Sequence, residues 1–194
     1  MKKTGWKFLI LPVLLGYSTF ITAQDVTIER SYSYFGIRAG YMEIDNLEDG
    51  GSANIGFTSG YRFDDPFAIE FSLDYHTSEF SEVNRSTYAI QASLLVYLAP
   101  ITARVQPYVL GGGGYYLSGY DYWTDGGYRR TDFTSHKFGS HLGGGIDFWP
   151  TPDVSLTVDV RYLFLREGTP QDAVLDINGN VDGILATIGA KFRF

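Results

Sequence analysis

The ten residues from Phe67 to His76 read FAIEFSLDYH, and they alternate between bulky apolar side chains and small or polar ones. Phe, Ile, Phe, Leu and Tyr occupy the odd positions, whereas Ala, Glu, Ser, Asp and His occupy the even positions. Because successive side chains of a β-strand point to opposite faces of a sheet, this pattern predicts a strand with two chemically different faces.

The same period of two recurs along the chain and predicts eight strands. Ten residues of strand rise about 33 Å, and a tilt of about 40° leaves roughly 25 Å, the height of the apolar band of an outer-membrane barrel. We therefore predict an all-β fold, an eight-stranded antiparallel up-and-down transmembrane β-barrel. The predicted strands are Tyr34–Ile44, Ala53–Phe63, Phe67–His76, Ser86–Leu98, Pro107–Leu117, Lys137–Phe148, Val154–Phe164 and Gly183–Phe194.

The connections between these strands alternate in length, as they do in membrane barrels, where short turns form one rim and long loops the other. The segments at 64–66, 99–106 and 149–153 are short or moderate and contain Pro. Four longer connections are acidic and rich in Gly: Asp45–Ser52, Thr77–Arg85, Ser118–His136 and Arg166–Asp182.

The sizes of the side chains indicate which face is inside. The apolar face carries the bulky residues, with Tyr and Phe near strand ends, as in the aromatic girdles of membrane barrels. The other face is small, as the narrow lumen of eight strands requires, whereas a soluble barrel would expose dense Lys and Glu. We expect the lumen to be lined by Gly36, Gly40, Gly56, Gly60, Ser72, Gly111, Gly113, Gly139, Gly143, Gly145 and Gly189.

Charged residues also fall on the predicted lumen face, four of each sign. Charges buried in a narrow space must be paired and hydrogen-bonded, so a balanced set fits a closed interior. An ion pathway is the alternative, and a structural salt-bridge network is favoured for a barrel this narrow. The cations are Arg38, Arg62, Arg161 and Lys191; the anions are Glu70, Asp74, Asp147 and Asp159.

Composition excludes several other classes of protein. The 194 residues have a formal net charge of −7, which argues against nucleic-acid binding because phosphate contacts need clustered Lys and Arg. The chain has no Cys, which removes disulfides and thiol chemistry. Its three His residues show no metal-ligand spacing. We expect neither a metal site nor a cofactor.

The first 23 residues predict a secretory signal peptide. Lys2, Lys3 and Lys7 precede the apolar stretch Phe8–Phe20, and Ala23 offers a small residue before cleavage. A membrane anchor is the alternative, but the stretch is short for a span. Cleavage would remove three Lys and no acidic residue, so the net charge would change from −7 to −10. The barrel domain is then residues 24–194.

With these features the sequence resembles the small eight-stranded outer-membrane barrels of the OmpA/OmpX and opacity-protein type. The resemblance covers the chain after the signal peptide and implies location in the outer membrane of a Gram-negative cell. It implies further that Phe192 and Phe194 form the signal read by the barrel-assembly machinery. The segments that carry it are SYFGIRAGY (33–41), QPYVLGGGGY (106–115), GGGID (143–147) and TIGAKFRF (187–194).

The resemblance also raises an enzymatic alternative, because some small outer-membrane barrels modify lipid A. Ser140-His141 and Ser135-His136 are the candidate nucleophile–base pairs. A deacylase needs both groups on the lipid-facing surface within hydrogen-bond reach, and adjacent strand residues point to opposite faces. His141 and His76 fall on the lumen face. We therefore expect no catalytic residues.

The third long connection suggests a recognition site, since aromatic rings beside cations can bind sugar and phosphate groups of lipopolysaccharide or a host glycan. The alternative is an extended hairpin whose rings form the outer girdle, which the pattern favours. The residues concerned are Tyr120, Tyr122, Trp123, Tyr128, Arg129 and Arg130.

The sequence as a whole predicts a monomeric integral outer-membrane protein with a filled lumen and four exposed acidic loops. Its role would be structural or surface-interacting. Expected partners are outer-membrane lipid, lipopolysaccharide and the barrel-assembly machinery during biogenesis. A narrow porin-like channel for small solutes and a lipid A-modifying enzyme are the alternatives.

Overall fold

The computed structural model describes residues 31–44, 51–80, 83–123, 129–167 and 181–194. Each strand pairs antiparallel with its neighbours in the chain, and β1 pairs with β8, which closes the sheet. The predicted eight-stranded antiparallel barrel is confirmed. Its strands are β1 Tyr32–Ile44, β2 Ser52–Arg62, β3 Phe67–Phe80, β4 Val83–Tyr97, β5 Val105–Trp123, β6 Arg129–Phe148, β7 Val154–Glu167 and β8 Val181–Arg193. No helix in the described ranges is long and apolar enough to cross a membrane.

Burial follows the predicted alternation. In β3, the side chain of Phe71 is 57% exposed on the outside, whereas Ser72 is 5% exposed inside the barrel. The outward side chains of all eight strands are mostly aliphatic or aromatic, and the inward ones are mostly polar. The barrel is therefore apolar outside and polar inside, the reverse of a soluble barrel.

The prediction for the faces of β5 is wrong. The inward side chains of this strand have even numbers, including Tyr108 and Leu110, so Gly112 also faces the lumen while Gly111 and Gly113 face outward. The physical reason is that four successive glycines carry no difference between faces. Because the residues before and after the run are bulky at both odd and even positions, the sequence does not show which of the glycines face the lumen.

The prediction that Ser118–His136 and Thr77–Arg85 are loops is also wrong for most of their residues. Strands β5 and β6 stay paired as far as Trp123 and Arg129, with a register shift between Tyr120 and Asp121. Strands β3 and β4 stay paired as far as Phe80 and Val83. Polar, Gly-containing strands look like loops in sequence because they lack a sustained alternation of apolar and polar residues.

The short connections meet at one end of the barrel, here named the short-turn rim. Backbone bonds tie them to the strand ends and to each other: Tyr97 donates to the carbonyl of Pro66 at 2.8 Å, and Trp149 to that of Arg104 at 2.8 Å. Asp65 links two turns, since its carboxylate accepts from the Ile101 amide at 3.0 Å. The opposite end is the long-loop rim.

The assignment of faces in β5 makes Gly112 and Gly111 a matched pair for substitution. A Cβ at Gly112 would lie 2.0 Å from the Ala92 carbonyl oxygen, whereas one at Gly111 would lie 3.0 Å from the end of the flexible Leu142 side chain. We expect Gly112→Val to lower the free energy of unfolding by roughly 1–3 kcal/mol. Gly111→Val should change it by less than about 1 kcal/mol.

Denaturant titration measures this difference, with the folded fraction read from gel mobility before and after heating. Equal losses for the two variants, or a larger loss for Gly111→Val, would contradict the assignment of faces.

Candidate functional site: the charged lumen

Eight charged side chains lie inside the barrel where the alternation predicts them, and each is at most 4% exposed. Strand pairing sets their heights in the lumen, because every second residue of each strand points inward. The structure brings seven of the eight into one connected network and places Arg62 at its short-turn end.

The carboxylate of Glu70 is the centre of the network. Arg161 Nη2 lies 3.0 Å from Oε1, and Lys191 Nζ lies 3.4 Å from Oε2. The hydroxyl of Tyr34 donates to Oε2 at 3.0 Å, and Arg38 Nη1 lies 3.9 Å from Oε1. One carboxylate therefore joins three cations that come from three different strands.

A bidentate pair joins Arg38 to Asp74 on the long-loop side of Glu70. Arg38 Nε donates to Oδ1 at 2.9 Å and Nη2 donates to Oδ2 at 2.6 Å, a geometry that fixes both side chains. Gln91 Nε2 also donates to Oδ2, at 3.2 Å. A Cβ at Gly56 would lie 2.1 Å from Asp74 Oδ1, so this position has room only for glycine.

Asp159 is the second carboxylate that binds the Arg161 guanidinium. Arg161 Nε donates to Asp159 Oδ1 at 2.7 Å, and the Tyr108 hydroxyl donates to Oδ2 at 3.0 Å. The same Tyr108 oxygen would lie 2.4 Å from a Cβ at Gly145. The absence of a side chain at Gly145 therefore makes room for the tyrosine that completes this pair.

Asp147 extends the network towards the short-turn rim. It accepts from Lys191 Nζ at 3.2 Å and from the Tyr97 hydroxyl at 2.8 Å. Beyond it, the Arg62 guanidinium lies 3.5 Å from the centre of the Tyr97 ring and bonds to Asp65 in the adjacent turn. Arg62 thus connects the lumen to the turn that closes it.

Apolar clusters lie inside the lumen as well, and sequence reasoning missed them because it expected that face to be small or polar. Near the short-turn rim, Tyr32, Tyr34 and Trp149 pack together, with Ile101 against them. Towards the long-loop rim, a collar consists of Met42, Ala89, Tyr116, Leu163, Leu165 and Leu185. The cavity beside Glu70 and Arg161 has a volume of about 10 Å³, enough for one water molecule.

Sequence reasoning also missed Lys137, which is 6% exposed at an inward position of β6, and the hydroxyls of Tyr34, Tyr97 and Tyr108. The parity of each strand could have found them. Lys137 is the first residue of the predicted strand Lys137–Phe148 and has the same parity as Gly139 and His141, so the alternation makes it inward. A tyrosine at an inward position in a charged lumen likewise predicts a bonded hydroxyl.

The three histidines lie in separate surroundings. His141 is buried, with Nε2 2.8 Å from Ser93 Oγ, and His76 Nδ1 lies 3.3 Å from Asn54 Nδ2. His136 lies on the outer surface, where its Nδ1 is 2.6 Å from the Tyr115 hydroxyl. Ser140 is exposed while His141 faces inward. Within the described ranges, no group of three His, Asp or Glu side chains could hold a metal ion.

The remaining predicted site residues lie at the ends of the barrel. Phe192 stacks on Phe35 with ring centres 5.1 Å apart, and the Phe194 amide donates to the Ser33 carbonyl at 3.1 Å. Of the six residues of the predicted recognition site, five lie in the paired strands β5 and β6. The structure describes the backbone of these five but not their side chains, and Tyr128 lies outside the described residues. The five are Tyr120, Tyr122, Trp123, Arg129 and Arg130.

Comparison with known proteins gives a family and a fold. The profile of the family described as "Outer membrane protein beta-barrel domain" matches residues 11–194. No curated protein matches the chain in sequence. Among solved structures, Neisserial surface protein A (NspA) is similar at 19% identity and a TM-score of 0.57, over 86% of this chain and 98% of that one.

Two further structures are similar at lower identity. A major outer membrane protein from Thermus thermophilus has 13% identity and a TM-score of 0.59, over 86% of this chain and 100% of that one. The outer membrane enzyme PagL has 12% identity and a TM-score of 0.51, over 81% and 98%. At these identities the likeness concerns the fold alone.

The lumen network predicts that removing one charge is costly. Arg161→Met removes the cation that joins the buried carboxylates of Glu70 and Asp159, so we expect a loss of about 3–5 kcal/mol in the free energy of unfolding. Arg104→Met on an exposed turn removes the same charge and should cost less than about 0.5 kcal/mol. Denaturant unfolding measures both, and similar losses would mean that the network does not stabilise the barrel.

Proposed function

Given that the chain belongs to the outer membrane protein beta-barrel family, we propose that it is an integral outer-membrane barrel with a filled, non-conducting lumen and a structural or surface-interaction role. The observation that carries this proposal is the Glu70-centred network, which occupies the cross-section of the lumen with cations from three strands. The long-loop rim would face the outside of the cell, and the short-turn rim the periplasm.

The outer surface supports a monomer surrounded by lipid. Apolar side chains are exposed around the barrel, among them Phe57 at 62% and Ile188 at 64%. Aromatic rings lie towards both rims, as in the girdles of membrane barrels. Such a surface is stable against acyl chains and would aggregate in water. Outer-membrane lipid and lipopolysaccharide are therefore the proposed surroundings.

Two apolar barriers support a closed lumen rather than a porin-like channel. An ion would have to cross the Leu163 collar and the Trp149 cluster, where apolar side chains offer no replacement for its hydration shell. Between these two barriers, Arg161 and Glu70 form a buried ion pair. Passage would require breaking buried pairs and opening both ends at once.

A structural role is favoured over lipid A modification by the positions of the candidate groups. His141 is buried beside Ser93 while Ser140 points to the lipid, so the two cannot act together from one face. His136 lies on the outer surface and its described partner is the Tyr115 hydroxyl, which is a poor nucleophile. Incubating the protein with lipid A and measuring product masses would reveal a deacylase or acyltransferase.

The extended β5–β6 hairpin favours display of residues at the cell surface. Tyr115 is ten residues from Val105, which corresponds to about 25 Å of height, so the strand beyond Tyr115 rises past the membrane. We retain this hairpin as the proposed site for binding sugar and phosphate groups. Residues 1–23 remain a proposed signal peptide, and Phe192 with Phe194 the proposed assembly signal.

The closed lumen predicts an electrical result. Purified protein inserted in a planar bilayer should show no steady conductance, because the network and the two apolar barriers leave no continuous water path. A sixteen-stranded porin under the same conditions provides the positive control. Steady conductance by the wild-type barrel would contradict the filled lumen and favour the channel.

The hairpin proposal predicts a loss of binding that leaves the fold intact. Replacing Tyr122, Trp123, Arg129 and Arg130 together by Ala should weaken binding of purified lipopolysaccharide by about tenfold or more, since aromatic and charge-assisted contacts disappear. Asp64→Ala with Thr151→Ala on the short-turn rim is the control. Unchanged binding in the fourfold variant, with normal barrel assembly, would remove lipopolysaccharide recognition from the proposal.

A further inference from the structure

The connection between β4 and β5 lies across the short-turn end of the lumen, and its residues 99–103 are here named the lid. Ile101 packs against the Trp149 cluster inside the barrel. Its neighbours in the lid, Pro100 and Thr102, are exposed. The lid therefore covers the end of the lumen while burying little apolar surface of its own.

Two polar side chains hold the lid from opposite sides. Asp65, in the turn between β2 and β3, accepts a hydrogen bond from the Ile101 amide at 3.0 Å and also pairs with the buried guanidinium of Arg62. Gln106 Nε2 donates to the carbonyls of Ile101 and Ala103, each at 2.8 Å. The Asp65 side chain is 39% exposed, so water competes for its bonds. Asp65 is therefore the anchor that is more easily released.

Several polar atoms under the lid have no hydrogen-bond partner among the residues that the structure describes. They are Nε and Nη1 of Arg62, Oε1 of Gln106 and Nε1 of Trp149, and these three side chains are at most 8% exposed. Oδ1 of Asp147, the residue paired with Gln106 across the sheet, is another. Buried polar groups without partners are costly, and water molecules can pair with all of them. These groups therefore favour entry of water beneath the lid.

We propose that the lid opens, with Asp65 as its latch, and admits water from the periplasm to the short-turn end of the lumen. Opening gives up the packing of Ile101 and three hydrogen bonds, and water then pairs with the polar atoms beneath. The inference deepens the proposed function, and the assignment of this end to the periplasm rests on the membrane orientation proposed there.

The ends of the lid and the middle of the lumen limit the opening. The Leu98 amide donates to the Pro107 carbonyl and the Trp149 amide to the Arg104 carbonyl, both at 2.8 Å, so the lid stays attached to the strands. Further in, the Glu70-centred network and the apolar collar near the long-loop rim stay closed. Water therefore enters one end of the lumen without forming a path through it.

Introduced thiols can report on this opening, because the chain has no Cys. Ser155→Cys is the reporter for the short-turn end, since Ser155 is 0% exposed and follows the pairing of Phe148 with Leu156, which places it beside Trp149. Thr87→Cys is the reporter for the long-loop end, where Thr87 is 5% exposed. Each barrel, folded in mild detergent micelles, is treated with a charged, water-soluble methanethiosulfonate, and the reaction rate is followed by mass spectrometry.

Asp65→Ala releases the latch. Asp64→Ala in the same turn is the matched control, because Asp64 is exposed and its described bond is made by its backbone carbonyl. We expect Asp65→Ala to raise the rate at Ser155→Cys about tenfold, equivalent to about 1.4 kcal/mol in the opening equilibrium, and Asp64→Ala to leave it unchanged. Gln106→Met releases the lid from the other side and should also raise this rate. It carries the test if Asp65→Ala fails to form a heat-modifiable barrel.

The same rate at Ser155→Cys in the released and control variants would overturn the inference. An equal increase at Thr87→Cys would overturn it too, because the whole barrel would then have loosened. These rates test the lid by themselves. Steady conductance of the wild-type barrel in a planar bilayer would instead contradict the filled lumen of the proposed function.

Discussion

The pairing of β1 with β8 is the constraint on which the rest of this molecule depends. A bilayer interior offers no water to unpaired backbone groups, so a sheet can cross it only when its first and last strands pair and no edge remains. Closing eight strands fixes a lumen just wide enough to be filled by side chains. Because the lumen is so narrow, it needs small residues such as Gly56 and Gly145, and the charges inside it must be matched in sign.

Inside the closed barrel, ion pairing offsets the cost of burying charged side chains and favours one specific arrangement of them. Each buried ion loses its hydration, and only several close partners offset that loss. Glu70 illustrates the solution, since it contacts cations from β1, β7 and β8 and a tyrosine hydroxyl from β1. Because the partners come from different strands, the network also favours one register of the barrel over others.

Much of this could be read from the sequence, and the failures have physical causes. The parity of β3 predicted Glu70 and Asp74 as inward because its faces differ strongly in size. The same reasoning failed at Gly111–Gly114, where the four residues are identical and tertiary packing alone sets their orientation. It also ended β5 early and began β6 late, because the polar, Gly-containing ends of these strands lack a sustained alternation of apolar and polar residues.

The sequence by itself determined the class of fold, the number of strands, the apolar exterior and a balanced set of lumen charges. These properties depend on local alternation, which residue order encodes directly. Only the tertiary structure decided which charges meet, that apolar clusters lie inside the lumen near both rims, and that Gly112 rather than Gly111 faces inward. Contacts of this kind join strands that are far apart in the chain, and their geometry is fixed by the register and curvature of the closed sheet.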